Sequence, residues 1–201
     1  MAITGNSLAD LVADMNNQVE AYQPQLDLNS IPSFNYATHF ESALQWTRNQ
    51  ITHETAFPIK ELLEQLPYIQ VSLEDDLEEF SGYIEQQSDQ WKIGINSYHS
   101  ENRQRFTMAH EWAHLLFHRE YLDLQNGAYK EKEILWRSSL FNKVENEANT
   151  FAAELLMPRD IFVEKWREYG EDGLEEISNF FQVSTQAVRY RAYKIGLRKE
   201  Y

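Results

Sequence analysis

Cysteine is absent from the 201 residues of this chain. The absence excludes disulfide bonds and thiolate metal sites, so a metal ion would have to be bound by histidine, aspartate or glutamate. Long apolar runs are lacking too, because no stretch approaches the ~20 apolar residues that span a bilayer. Residues 1–6 have neither the basic region nor the apolar stretch of a signal peptide, which predicts a cytoplasmic location.

Positive charge is scarce. The chain has 18 lysines and arginines against 32 aspartates and glutamates, a formal net charge of −14. So acidic a protein would repel phosphate, which argues against broad, nonspecific binding of nucleic acid. Apolar residues, by contrast, are frequent enough to form a packed core, since 42% of the chain is hydrophobic and 13% is aromatic. The length predicts one domain, or one domain with a short appendage.

Hydrophobic periodicity predicts an α+β fold. Residues 1–30 carry a short helical stripe and form the expected appendage, while residues 31–201 form the main domain. Residues 68–73, 80–86 and 90–96 are rich in β-branched and aromatic side chains. They predict a small three-stranded antiparallel sheet, in which the second and third strands form a hairpin. The third strand leads into a longer helix.

That helix carries the pattern H-E-x-x-H, made by His110, Glu111 and His114. Histidines four apart lie one turn apart on the same helix face, so both can bind one zinc ion. Zinc lowers the pKa of a bound water to about 7, and the adjacent Glu111 is placed to take the proton. The apolar residues around the motif also repeat at helical spacing: Phe106, Ala109, Ala113 and Phe117.

A catalytic zinc site usually has three protein ligands. A second predicted helix spans residues 144–155 and is ended by Pro158. Two of its glutamates, Glu145 and Glu147, are candidates for the third ligand. Asn149 lies one turn after Glu145, where it can either hold a zinc-bound histidine in its tautomer or pack locally. His118 is too far along the first helix to be a ligand, so we expect it near the surface or hydrogen-bonded to neighbouring backbone.

Two blocks, residues 103–118 and 145–158, resemble the ImmA/IrrE family of zinc-dependent regulatory peptidases of bacteria and their mobile elements. A weaker match covers residues 181–188 and 195–197. The resemblance implies a zincin-like domain in which His110 and His114 bind Zn²⁺ and Glu111 is the general base. It also implies that Glu145 is the third ligand. Glu147 lies about 200° further round the helix and should point toward solvent.

The resemblance implies a regulatory endopeptidase that cleaves a protein, with an Xre-type repressor or another transcription regulator as its partner. Two alternatives stay open. The protein could bind zinc and sequester a regulator without cleaving it. It could also bind DNA through a helix-turn-helix-like pair at residues 173–197, where basic residues cluster. We expect this pair to pack on the peptidase core instead.

Four residues near the H-E-x-x-H motif are candidates for stabilising an oxyanion: Tyr98, His99, Tyr121 and Tyr129.

Overall fold

The computed structural model describes residues 31–52, 56–77, 80–87, 90–119, 128–129 and 139–200. The predicted appendage at residues 1–30 lies outside these ranges, as do residues 120–127 and 130–138. The described part confirms an α+β fold with seven helices and one small sheet. In chain order the elements are α1 (Tyr36–Arg48), α2 (Ile59–Gln65), β1 (Ile69–Glu74), β2 (Gly82–Gln87), β3 (Gln90–Asn96), α3 (Glu101–Phe117), β4 (Ala128–Tyr129), α4 (Ser139–Leu156), α5 (Arg159–Tyr169), α6 (Leu174–Phe181) and α7 (Thr185–Lys194).

The sheet is mixed, so the prediction of an antiparallel sheet is wrong in one pairing. Its strand order is β1-β3-β2-β4. The β2–β3 pair is antiparallel as predicted, whereas β1 and β3 run parallel with Ile69 opposite Trp91. The reason is that β3 returns between β1 and β2 rather than outside them. A hairpin turn is set by neighbouring residues, but the strand that β3 meets on its other side is not.

Helix α3 lies between the sheet and α4 and contacts both. Most of its predicted apolar face is buried: Ala109 and Ala113 are fully covered and Phe117 is 7% exposed, whereas Phe106 is only partly buried. Trp112 is also fully buried, stacked on Trp46 with ring centroids 6.0 Å apart. Its indole also donates a hydrogen bond to Thr47 of α1 at 3.2 Å, so it packs away from the histidines. Tight contact on both faces fixes the rotation of α3, and therefore the direction in which His110 and His114 point.

The start of β2 lies directly against α3. A side chain at Gly82 would come within 2.5 Å of the Thr107 methyl group, so only glycine fits here. This close approach brings the backbone of residues 81–82 to the edge of the same helix face that carries His110.

The C-terminal pair, α6 and α7, packs on the core, as predicted. Ile177, Val188 and Ala192 are fully buried. Asn102 Nδ2 of α3 donates a hydrogen bond to the Val183 carbonyl at 3.0 Å. Arg191 is 6% exposed and forms an ion pair with Glu154 of α4. One of the basic residues that the DNA-binding alternative would use is thus part of the packing. None of the described helices is long and apolar enough to cross a membrane.

Candidate metal centre

Three side chains from two helices meet at one point. Helix α3 supplies His110 and His114, whose Nε2 atoms are 3.0 Å apart. Helix α4 supplies Glu145, whose two carboxylate oxygens each lie 3.2 Å from one of these Nε2 atoms. Among the described residues, this is the group of His, Asp and Glu side chains placed to hold a metal ion.

The geometry and the donor set both suit zinc. In a tetrahedral site with bonds of ~2.0–2.2 Å, ligand atoms lie roughly 3.3–3.5 Å apart, so the observed distances of 3.0–3.2 Å need only a slight expansion. Two imidazoles and one carboxylate make up the ligand set of several catalytic zinc sites, which keep one position open. The residues present therefore fit a zinc ion. That they bind one remains a prediction.

Burial and mutual contact perturb all three groups. Burial lowers the pKa of His114 to about 4, although Glu145 offsets part of the effect. Burial acts in the same direction on His110, but hydrogen bonding to Glu145 and the charge of Glu111 outweigh it and raise the His110 pKa. The Glu145 pKa is lowered, because its contacts with both histidines outweigh its own burial. A carboxylate and two closely facing imidazole nitrogens thus favour a cation between them.

Glu111 lies beside this cluster rather than in it. The residue is 6% exposed and lines a cavity of about 250 Å³ together with His110, Glu145 and Asn149. His114 is 1% exposed and lies behind the others. A carboxylate that borders the same cavity as two of the three candidate ligands can exchange a proton with a water or substrate held there.

The sequence analysis did not identify Arg103 as part of the site, although this residue lines the same cavity. The guanidinium of Arg103 donates a hydrogen bond to Ser81 Oγ at 2.9 Å. The signal was available, because Arg103 precedes His110 by two helical turns and therefore shares its face. A second cavity of about 630 Å³, bordered by Tyr190 and Arg191 of α7, shares Arg103, Phe106 and Asn149 with the first. The shared residues indicate one cleft that leads away from the candidate metal centre.

Asn149 and His118 make the outer contacts of the two histidines. Asn149 Oδ1 lies 3.1 Å from His110 Nδ1. The expectation for His118 is wrong: the residue is 3% exposed, and its Nδ1 lies 3.0 Å from His114 Nδ1. Glu147 does not point freely to solvent either, because its Oε2 lies 3.1 Å from His118 Nε2. The end of α3 brings His118 within reach of α4, which helix periodicity alone does not show.

Of the candidates for an oxyanion-stabilising residue, the two whose side chains the structure describes, Tyr98 and His99, are not brought to the site. Tyr98 is 78% exposed, and neither Tyr98 nor His99 lines the cavity beside Glu111. Tyr121 and the side chain of Tyr129 lie outside the described residues.

A helix bearing H-E-x-x-H, packed under a small sheet and joined by a glutamate from a second helix, defines the metallopeptidase type of site. The comparisons agree with this class. Residues 69–193 match the model of Peptidase_M78, the IrrE N-terminal-like domain. The chain belongs to this family, in which a zincin-like fold is expected.

A solved structure with a similar fold is a Mycobacterium tuberculosis transcriptional regulator, with a TM-score of 0.55 and 15% sequence identity. The match covers 77% of this chain and 46% of that one, so the chain spans less than half of the regulator's length. At this identity the likeness concerns the fold alone. No curated protein matches the chain significantly.

Proposed function

We propose that this protein is a zinc-dependent endopeptidase with a regulatory role, and that its substrate is a transcription regulator. The observation that carries the proposal is the convergence of His110, His114 and Glu145 beside a cavity that Glu111 also lines. Family membership supports the peptidase class, and the resemblance to ImmA/IrrE proteins supports the regulatory role.

In this proposal His110, His114 and Glu145 hold zinc, which when bound would polarise the scissile carbonyl and acidify water. Glu111 takes a proton from the attacking water and later passes it to the leaving amine. Proton transfer by a positioned side chain of this kind contributes about 10²–10⁴-fold to the rate. Asn149 orients the imidazole of His110 through its contact with Nδ1.

The cleft supports a polypeptide substrate rather than a small molecule. It continues past Arg103 and Phe106 toward α7, which gives room for residues on one side of the scissile bond. Arg103 carries a permanent positive charge at the junction of the two cavities, where its guanidinium can bind a carbonyl oxygen or an acidic side chain of the substrate.

The test is cleavage of a candidate repressor encoded beside the gene, with zinc-loaded protein and analysis of the products by mass spectrometry. We expect one or a few defined cleavage sites, and no cleavage by Glu111→Gln. Stable complex formation without cleavage by the wild type would instead favour the sequestering alternative. Full activity in Glu111→Gln would reject Glu111 as the base.

The DNA-binding alternative is tested with Arg189, an exposed residue of α7. The ion pair of Arg191 with Glu154 supports a packing role for this helix, so Arg191 is a poor probe because its loss would perturb the fold. We expect Arg189→Glu to leave regulation unchanged. Salt-sensitive, sequence-specific retention of DNA by the wild type that is lost in Arg189→Glu would favour a DNA-binding role.

A further inference from the structure

His114, His118 and Glu147 form a continuous chain of side-chain contacts that leads away from the candidate metal centre. His114 Nδ1 lies 3.0 Å from His118 Nδ1, and His118 Nε2 lies 3.1 Å from Glu147 Oε2. Both distances are those of hydrogen bonds. The side chains of His114 and His118 are 1% and 4% exposed, so water competes little for these contacts.

Metal binding at His114 determines the direction of these hydrogen bonds. The Nε2 atom faces His110 and Glu145, so as a ligand it carries no proton and Nδ1 must carry it. His114 Nδ1–H then donates to His118 Nδ1, and His118 Nε2–H donates to the Glu147 carboxylate. In the opposite direction the His114 proton would sit on Nε2, the ligand atom. Only one direction is compatible with a bound metal.

The two histidines therefore differ in what holds them. His110 faces the neutral amide of Asn149, whereas His114 faces an imidazole backed by a carboxylate. A carboxylate behind a metal-bound histidine fixes its tautomer and raises its basicity as a ligand. Glu147 is in turn held from outside, because Lys143 Nζ lies 3.7 Å from its other carboxylate oxygen and is largely exposed.

We propose that His118 and Glu147 are positioning residues that fix His114 in the tautomer and orientation needed to bind the metal. The inference rests on the proposed zinc site. It assigns a task to His118, the residue that follows α3, and to Glu147 of α4, neither of which is a ligand. Helix α4 would then support the metal site through three side chains. Glu145 would be a ligand, Asn149 would orient His110, and Glu147 would act on His114 through His118.

The first test is zinc affinity by chelator competition on the purified full chain. We expect Glu147→Ala and His118→Ala each to weaken zinc binding about 10–100-fold, with one zinc per chain retained at saturation. Because both residues belong to one chain of contacts, the double variant should be little weaker than either single variant. Asn146→Ala, an exposed position on the same helix, is the matched control and should leave the affinity unchanged.

The second test separates positioning from a general structural role. Glu147→Gln keeps the size of the side chain and an acceptor oxygen but removes the charge, and circular dichroism checks that it folds. In the zinc-loaded wild type, ¹⁵N NMR of the imidazoles should show His118 as the Nε2–H tautomer. Glu147→Gln should weaken zinc binding, with the thermal unfolding of the metal-free protein unchanged.

The outcomes distinguish this inference from the proposed function. A wild type that binds no zinc would overturn both. A wild type that binds zinc, with His118→Ala and Glu147→Gln affinities within twofold of it, would overturn the positioning role and leave the peptidase proposal standing. An Nδ1–H tautomer of His118 in the zinc-loaded wild type would also overturn it, because His118 could not then accept from His114.

Discussion

Two clusters of titratable side chains in this protein each combine a carboxylate with basic side chains, but they differ in the chemistry that they can support. One is the candidate metal centre of His110, His114 and Glu145. The other lies on the sheet, on the face opposite Ile93 and Ile95, where Glu74 meets Lys92 at 2.7 Å and the Tyr83 hydroxyl at 3.0 Å. Both clusters shift the pKa values of their members, so perturbed titration alone does not distinguish them.

The polar and charged groups of the sheet cluster pair with one another. Burial alone would raise the pKa of Glu74, but hydrogen bonds from Lys92, Ser72 and Tyr83 lower it. The Lys92 pKa is raised, chiefly by its bond to Glu74. In this cluster the negative charge of Glu74 is paired with the positive charge of Lys92. In the metal centre two imidazoles face each other across 3.0 Å with one carboxylate, beside a cavity bordered by Glu111. The comparison shows that convergence on an accessible cavity, more than charge or burial, identifies a site for chemistry.

The largest expected effect is the loss of metal from the centre in the double variant His110→Ala and His114→Ala. Removing two of three ligands should reduce zinc from one ion per chain to none, as measured by elemental analysis after dialysis. Circular dichroism should still show a folded protein, because α3 is held by its buried apolar face. Unchanged zinc content in this variant would place the metal elsewhere.

The next effect is that of Glu145→Ala. Loss of the carboxylate ligand should weaken zinc binding by more than about 100-fold and remove peptidase activity with it. Chelator competition measures the affinity, and Asn146→Ala controls for substitution in this helix. The loss should also exceed that of Glu147→Ala, since Glu147 acts only through His118. The reverse order would mean that the wrong glutamate has been assigned as the ligand.

Glu111→Gln should separate binding from chemistry. The amide is isosteric and cannot take a proton, so kcat should fall about 10²–10⁴-fold while zinc stoichiometry stays at one. The measurement pairs a cleavage assay with metal analysis of the same preparation. Parallel loss of zinc and activity would indicate that Glu111 supports the metal and is not simply a base.

The smallest effect belongs to the sheet cluster. Glu74→Gln should leave zinc affinity and cleavage unchanged and lower stability by about 1 kcal/mol or less, since the pair lies near the surface. Because folding lowers the Glu74 pKa, its contribution is present above the pKa of the unfolded chain and is lost as pH falls through the folded value. Urea unfolding should therefore show wild type and variant converging in acid. A difference that grows as pH falls would contradict this assignment.

Periodicity predicted most of what lies within single elements. The helix bearing His110, Glu111 and His114 is present, and most of its apolar face is buried as its spacing indicates. The structure brings Glu145, and not Glu147, to the two histidines, in agreement with the shared row of Glu145 and Asn149. The antiparallel pairing of β2 with β3 is present as predicted. The ligand and base roles themselves remain predictions.

The errors concern contacts between elements that are distant along the chain. The parallel pairing of β1 with β3, the burial of His118 and the contact of Glu147 with it all depend on how separate segments come together. The packing of the C-terminal helix pair was predicted, but the ion pair of Arg191 with Glu154 likewise depends on distant segments.

The sequence by itself determined the chemistry that is available: a chain without cysteine, a helix with two histidines one turn apart, and a carboxylate between them. Helical spacing is a local property of the backbone, so these features follow from neighbouring residues. Only the tertiary structure decided which carboxylate meets the two histidines and which one meets His118. The crossing of α3 and α4 sets those distances, and it results from the packing of side chains far apart in the chain.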